Sequence, residues 1–271
     1  MTSQQQDLVF FSDNSIVSDH SLVSGNSSLH IISHLEGTNP SWLVSSILEN
    51  CLVGTANLVN RELNRKIINR SQVTFASFIH SKAFWVPLSR KQGVDLDSNP
   101  NFQFVDCFSD LFTKQIPNPA NAKPQVSKVF GTICKAIENQ KSEKKVVVVE
   151  CPELLLAATD LSSNDLVQHL RKVASLCNTL FVVINTESPL TNFTGALPDD
   201  PVFRISDFYV KLHHMSSLNI SVQPLSTGRA KDITGCLTVA RGSQPANPVT
   251  RVVEKEYMFH IAKESVKLYY R

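Results

Sequence analysis

The stretch Lys144-Lys145-Val146-Val147-Val148-Val149-Glu150-Cys151-Pro152-Glu153 restricts the fold more than any other. A strand with one wet face alternates apolar and polar residues. Four consecutive valines leave no polar position, so both faces of this strand must be covered, as in a parallel sheet flanked by helices. The two lysines give it a polar start, and Pro152, which has no backbone N–H to donate, ends it. Glu150 is thereby carried to the C-terminal edge of a central parallel strand. In open α/β sheets ligands bind at that edge, and an acidic residue after an apolar strand helps hold magnesium in nucleotide-hydrolysing proteins.

Charge is distributed unevenly. The first 60 of the 271 residues contain no lysine or arginine and carry Asp7, Asp13, Asp19, Glu36 and Glu49; the remaining 211 hold 26 basic and 19 acidic residues, a net of +7. A positive face able to meet a polyanion is one reading of that excess, a solvated surface the other. A start without basic residues is unlike a secretory or mitochondrial targeting segment, and no apolar run approaches membrane-spanning length. The six cysteines are scattered without a C-x-x-C pair, which fits reduced thiols of a cytosolic or nuclear protein better than a disulfide framework or zinc site.

In chain order, Leu8–Phe11 is an apolar patch read as a short strand or docking segment. Leu29–His34 is the first clear strand. Asn39 and Pro40 open a helix whose apolar positions run from Trp42 to Leu52, with Gly54 just past its end. Residues 55–72 form a polar connection bearing Arg61, Arg65, Lys66 and Arg70, read as a solvated basic face with nucleic-acid contact as the alternative. Val73–Phe78 and Phe102–Phe108 are strands. His80 follows the first of them and is expected to pack or cap. Residues 86–101 read as a loop and 117–124 as a linker. Val126, Val129, Phe130, Ile133 and Ile137 mark a helix leading into the valine strand. Ser162 and Asp165 form a capping box for another helix, running to Cys177, and Thr179–Asn185 is a second fully apolar strand. Residues 186–205 read as a surface loop. Phe208–His213, Cys236–Gly242, Tyr257–Ile261 and Val266–Tyr270 read as strands, the later ones antiparallel. Gly228, Gly235 and Gly242 lie seven residues apart among them.

The turn after Leu29–His34 is where a phosphate-binding loop would sit. That loop needs G-x-x-x-x-G-K-[ST], whose glycines bare the backbone amides and whose lysine reaches the terminal phosphates. Leu35-Glu36-Gly37-Thr38-Asn39-Pro40-Ser41 has one glycine and no lysine. Its proline lacks an amide that a phosphate would use, and its glutamate would repel the anion, so a plain strand-to-helix turn is the favoured reading. The expected architecture is one α/β domain over residues 1–271: a RecA-like three-layer fold with a mainly parallel sheet, helices on both faces and antiparallel C-terminal strands. It is not expected to bind a cofactor or metal, nor to be an active enzyme.

Several segments carry a more specific resemblance: Pro224-Leu225-Ser226-Thr227-Gly228-Arg229-Ala230-Lys231-Asp232-Ile233-Thr234-Gly235, Asp7–Asp13, Ala76–His80, Pro152–Leu156, and the ending from Val253–Tyr257 through Lys263–Ser265 to Leu268–Arg271. They resemble the family of Elongator's sixth subunit, from one end of the chain to the other. That resemblance implies a RecA-like fold without working nucleotide motifs. It also implies assembly with Elongator's fourth and fifth subunits into a six-membered ring that binds and releases tRNA. The ring is accessory to the catalytic Elongator subcomplex, which modifies wobble uridine, and the setting is cytoplasmic and also nuclear.

In RecA-type rings the segment before the late strands faces the pore or the neighbouring subunit. Arg229 and Lys231 are therefore candidate contacts to RNA phosphates. Arg241, at the end of the following strand, and Asp232 are candidate inter-subunit residues, with surface ion pairing, including pairing to Asp232 or Glu150, as the competing account. A RecA-like recombination accessory protein that binds single-stranded DNA is the alternative function.

Overall fold

The valine run lies inside the sheet it was expected to organise. A computed structural model describes residues 5–6, 27–35, 37–60, 66–91, 93–187, 191–192, 194–195, 197, 199–228, 230–244, 252, 254–263 and 265–270. Among them the strands are β1 (Gln5–Gln6), β2 (Ser28–His34), β3 (Gln72–Ser77), β4 (Phe102–Asp106), β5 (Lys145–Glu150), β6 (Thr179–Asn185), β7 (Leu218–Gln223), β8 (Gly235–Arg241), β9 (Lys255–Ile261) and β10 (Val266–Tyr270). They form one ten-stranded sheet in the order β1-β10-β9-β8-β7-β2-β6-β5-β3-β4. Pairing is parallel from β4 to β7 and antiparallel from β7 to β1.

Helices cover both faces of the parallel part. The α-helices are α1 (Ser41–Val53), α2 (Lys82–Arg90), α3 (Lys123–Glu138), α4 (Leu154–Ala158), α5 (Ser163–Ala174) and α6 (Pro201–Met215). Alternate valines of β5 go to opposite compartments: Val146 and Val148 pack with α1 and α2, Val147 and Val149 with α3, α5 and α6. All four are at most 1% exposed, and full burial of a valine contributes about 1.5–3 kcal/mol, so the run is a large part of what holds the sheet. The α1–α2 compartment continues under the antiparallel strands through Leu237, Val239, Tyr257, Phe259 and Leu268, whereas the other stops at β2 and α6.

Local signals account for the helix boundaries. The Asn39 side chain accepts the Ser41 amide at 2.8 Å, and Gly54 closes α1 in the left-handed conformation, φ +78°. The Ser162–Asp165 capping box forms at the start of α5, which ends at Ala174, three residues before Cys177. The three late glycines have different reasons. Gly228 takes φ +90°. A Cβ at Gly235 would come within 2.4 Å of the Gln223 carbonyl oxygen, and one at Gly242 within 2.0 Å of the Ser216 carbonyl oxygen.

Several expectations are corrected. Phe208–His213 is helical, within α6: Asp200 caps its start by accepting the Val202 amide, Pro201 sits at its first position, and Ile205, Phe208 and Leu212 bury one face at helical spacing. The loop expected over 186–205 therefore gives way to helix at Pro201. The loop expected over 86–101 overlaps α2, which accommodates Pro87 and buries Trp85 against Phe75. The linker over 117–124 contains a 3₁₀ turn, Pro119–Asn121, and the start of α3. Arg70 does not join a solvated basic face: it is 2% exposed and donates to the carbonyl and side-chain oxygens of Asn50, both at 2.8 Å. Arg61, Arg65 and the patch Leu8–Phe11 lie outside the described residues.

Candidate functional site

The C-terminal ends of β2, β6, β5 and β3 form a shared edge, and the side chains of chemical interest meet there. Register places Ser77 opposite Glu150. The Ser77 hydroxyl donates to Glu150 Oε2, and its oxygen also accepts the His80 amide at 2.9 Å. His80 Nδ1 lies 3.0 Å from Glu150 Oε1, and its ring stacks on Phe84 with centroids 3.9 Å apart. Glu150 is 4% exposed. His80 is thus tied to a buried carboxylate, and Glu150 pairs with His80 and Ser77 rather than with the late cations.

Beyond Glu150 the chain turns sharply. Cys151 adopts φ +53°, uncommon for a non-glycine residue. Burial, then the neighbouring Glu153 and Glu150 carboxylates, holds its thiol well above the usual range. Glu153 accepts the Asn185 amide at Oε1, 2.8 Å, while Oε2 has no hydrogen-bond partner among the described residues. Burial pushes its carboxyl up to about 7. Burial also lowers His34 on the neighbouring strand and favours the neutral ring.

The loop joining β2 to α1 is tied down. Thr38 is buried, and its hydroxyl donates to the carbonyls of Leu35, 2.8 Å, and Val222, 3.1 Å. Its amide donates to Leu35 at 3.2 Å. Gly37 takes φ +82° to make this turn. Thr38 is therefore engaged with the chain itself on the side where a phosphate cradle would open.

The late segment is built differently. Lys231 and Asp232 are exposed in the connection between β7 and β8, and Arg229 lies outside the described residues. Arg241 ends β8 exposed, with Nε 3.8 Å from Glu254 Oε2 and its amide donating to Glu254 Oε1 at 3.0 Å. Asp232 makes no ion pair with it. Sequence reasoning singled out Glu150 but missed Ser77 and Glu153 and gave His80 no partner, because those contacts depend on register and on a turn rather than on spacing. Among the described residues no cluster of three or more His, Cys, Asp or Glu is placed to hold a metal, and no helix is long and apolar enough to cross a membrane.

A mainly parallel sheet between helices, a strand-to-helix turn at β2–α1, an acidic residue ending the central strand and antiparallel strands at the C-terminal side define a RecA-like α/β fold. The crystal structure of flagellar accessory protein FlaH from Methanocaldococcus jannaschii aligns with it at a TM-score of 0.53 and 14% identity, over 93% of this chain and 95% of that one. No family model matches the chain. Elongator complex protein 6 of Saccharomyces cerevisiae is 32% identical over 280 residues, covering 99% of this chain and 98% of the relative. The Elongator complex protein 6 homolog of Schizosaccharomyces pombe is 25% identical over 193 residues, 66% of this chain and 72% of the relative. The chain belongs to the Elongator complex protein 6 family.

Proposed function

We propose that this chain is a non-catalytic building block of Elongator's accessory ring, folded as one RecA-like domain and assembled with the fourth and fifth subunits to bind and release tRNA during wobble-uridine modification. The end-to-end match to the yeast protein carries the Elongator assignment. The β2–α1 turn supports the non-catalytic part: it has one glycine, no lysine, a proline at the helix start and a threonine tied to two carbonyls. A triphosphate needs free amides and a cation at that place. Glu150, where a magnesium-holding acid would stand, is engaged by Ser77 and His80. In this reading the fold is kept for its shape, and the cytoplasm and nucleus are its setting.

RNA contact is assigned to Arg229 and Lys231, and neighbour contact to Arg241 and Asp232. Lys231 is exposed between Gly228 and Gly235, a long cation there suits a phosphate, and such contacts weaken as salt rises. Co-expression with the fourth and fifth subunits, followed by native mass measurement, tests the assembly: a six-membered complex is expected, and a chain that stays alone overturns the proposal. Replacing Arg229 and Lys231 with alanine in that complex is expected to lower tRNA affinity, and unchanged affinity at low salt removes them from the interface. Co-purification with a recombinase and single-stranded DNA would favour the alternative. Magnesium-dependent ATP turnover by the purified chain would overturn the non-catalytic reading.

A further inference from the structure

The sheet ends differently on its two sides. At one side β1 adds to β10, with Gln5 opposite Tyr269 and Gln6 opposite Leu268. At the other, β4 pairs with β3 alone. Val73 donates to the Asn101 carbonyl at 2.8 Å, and Cys107 donates to that of Ser77 at 3.0 Å. By the alternation of a parallel ladder, Gln103 and Val105 face β3, and the N–H groups of Phe104 and Asp106 point outward. Neither amide has a partner among the described residues. Edge strands are commonly blunted by lysine, proline or a bulge; Phe102-Gln103-Phe104-Val105-Asp106 has none of these.

A groove of about 390 Å³ runs beside this edge, between β4 and α3, with Val105 and Val129 among its apolar residues and Lys114, Gln115, Lys128 and Thr132 among its polar ones. Two aromatic side chains stand beyond the C-terminal end of the strand, Phe108 at 48% and Phe112 at 42% exposure. The groove's acid, Asp106, is taken up by the following turn, accepting the amides of Phe108 and Ser109 at 2.9 and 2.8 Å. Lys114 shares Asp110 at 3.0 Å, while Lys128 makes no ion pair among the described residues. Lys128 is therefore a cation at the groove without an ionic partner among the described residues.

We propose that the outer edge of β4 takes up an extended segment of a partner protein as an additional strand. An apolar side chain of that segment enters the groove, and an acidic residue beside it meets Lys128. The row of outward backbone donors and acceptors decides the class of ligand. Another polypeptide backbone matches it at every second residue, whereas a nucleic acid or a small molecule does not. Phe108 and Phe112 supply apolar anchors at one end, as aromatics do in protein interfaces.

The test uses the full chain and a phage-displayed random-peptide library. Selected peptides are expected to pair an apolar residue with a nearby acid. N-methylation of alternate peptide amides is expected to weaken binding about fivefold to tenfold at each position, while methylation of the intervening amides changes it little. Lys128→Glu, an exposed replacement outside the core, is expected to weaken the same peptides about tenfold. Hydrogen exchange at Phe104 and Asp106 should slow on binding. The proposal is overturned by failure to select any peptide, or by equal tolerance of every methylation. Binding of a polynucleotide that Lys128→Glu abolishes without slowing those amides also overturns it. So does self-association of the chain that the peptide displaces, because the occupant is then a second copy.

Discussion

The two halves of the sheet solve the burial problem in different ways. In the parallel half, neighbouring residues of one strand are both inaccessible: Leu180 and Phe181 of β6 are each 0% exposed, and they point into opposite compartments. In the antiparallel half β8 alternates, with Leu237 and Val239 buried and Thr238 and Ala240 partly open between them. A strand covered on both faces needs a continuous apolar run, and one covered on a single face needs only every second residue. The parallel half is therefore fixed by helices on both sides, and the antiparallel half keeps one face for solvent or for other molecules.

Substitutions along one strand test this most strongly. Phe181→Ala is expected to cost about 3–5 kcal/mol and Leu180→Ala about 2–5 kcal/mol, although they are adjacent in sequence. In β8, Leu237→Ala should cost about 2–5 kcal/mol while its neighbour Thr238→Ala stays within about 0.5 kcal/mol. Urea midpoints at constant slope measure all four, and a cheap change at either β6 position would break the contrast.

The parallel edge also carries the proton-linked group. Glu153 has a folded value of about 7 against an ordinary 4.5. The unfolded chain therefore loses this proton first, and the stability tied to it is full below about pH 4.5 and is lost as pH rises through 7. The shift corresponds to about 3 kcal/mol. Glu153→Gln, which cannot ionise, should flatten stability between pH 5 and pH 8 relative to the parent chain. An unchanged pH profile would show that Glu153 does not titrate in this range.

In the antiparallel half the sharpest expectation is Gly242→Ala, where a Cβ would sit 2.0 Å from the Ser216 carbonyl oxygen. The forced shift should cost about 1–3 kcal/mol. Ser162→Ala, which removes the capping box of α5, should cost about 1 kcal/mol. The smallest effect is expected at Arg241. Its contact with Glu254 is exposed on both sides, at 58% and 54%, so Arg241→Ala should change the stability of the isolated chain by less than about 1 kcal/mol. A clear loss in subunit association from that replacement would assign it to an interface.

The parallel core was legible in sequence because its signals are local and redundant. Val146–Val149 and Thr179–Asn185 read as covered strands, and Ser162–Asp165 read as a helix start. α6 was hidden: its aromatic and β-branched residues, Phe208, Tyr209 and Val210, resemble strand composition, and the helical spacing emerges only when Ile205 and Leu212 are taken with them. α2 was hidden by Pro87, which a nine-residue helix tolerates near its middle. At the candidate site, Glu150 could be placed from the strand that ends in it. Its partners could not, because Ser77 and His80 arrive from 70 or more residues earlier through β3–β5 register. Arg70 read as surface because nothing in its neighbours announces Asn50.

A ribbon of identical side chains has no preferred frame. Sliding β5 by one residue would exchange valine for valine at three of the four positions and bring Lys145 or Glu150 into the fourth. What fixes the frame is the polar punctuation at the two ends of the run: Lys145 Nζ donating to the Ile137 carbonyl at 2.9 Å at the start, and Glu150 meeting Ser77 and His80 at the finish. A carboxylate standing where related architectures grip a metal here sets the alignment of the central strand, and a slipped sheet would leave it buried with neither companion.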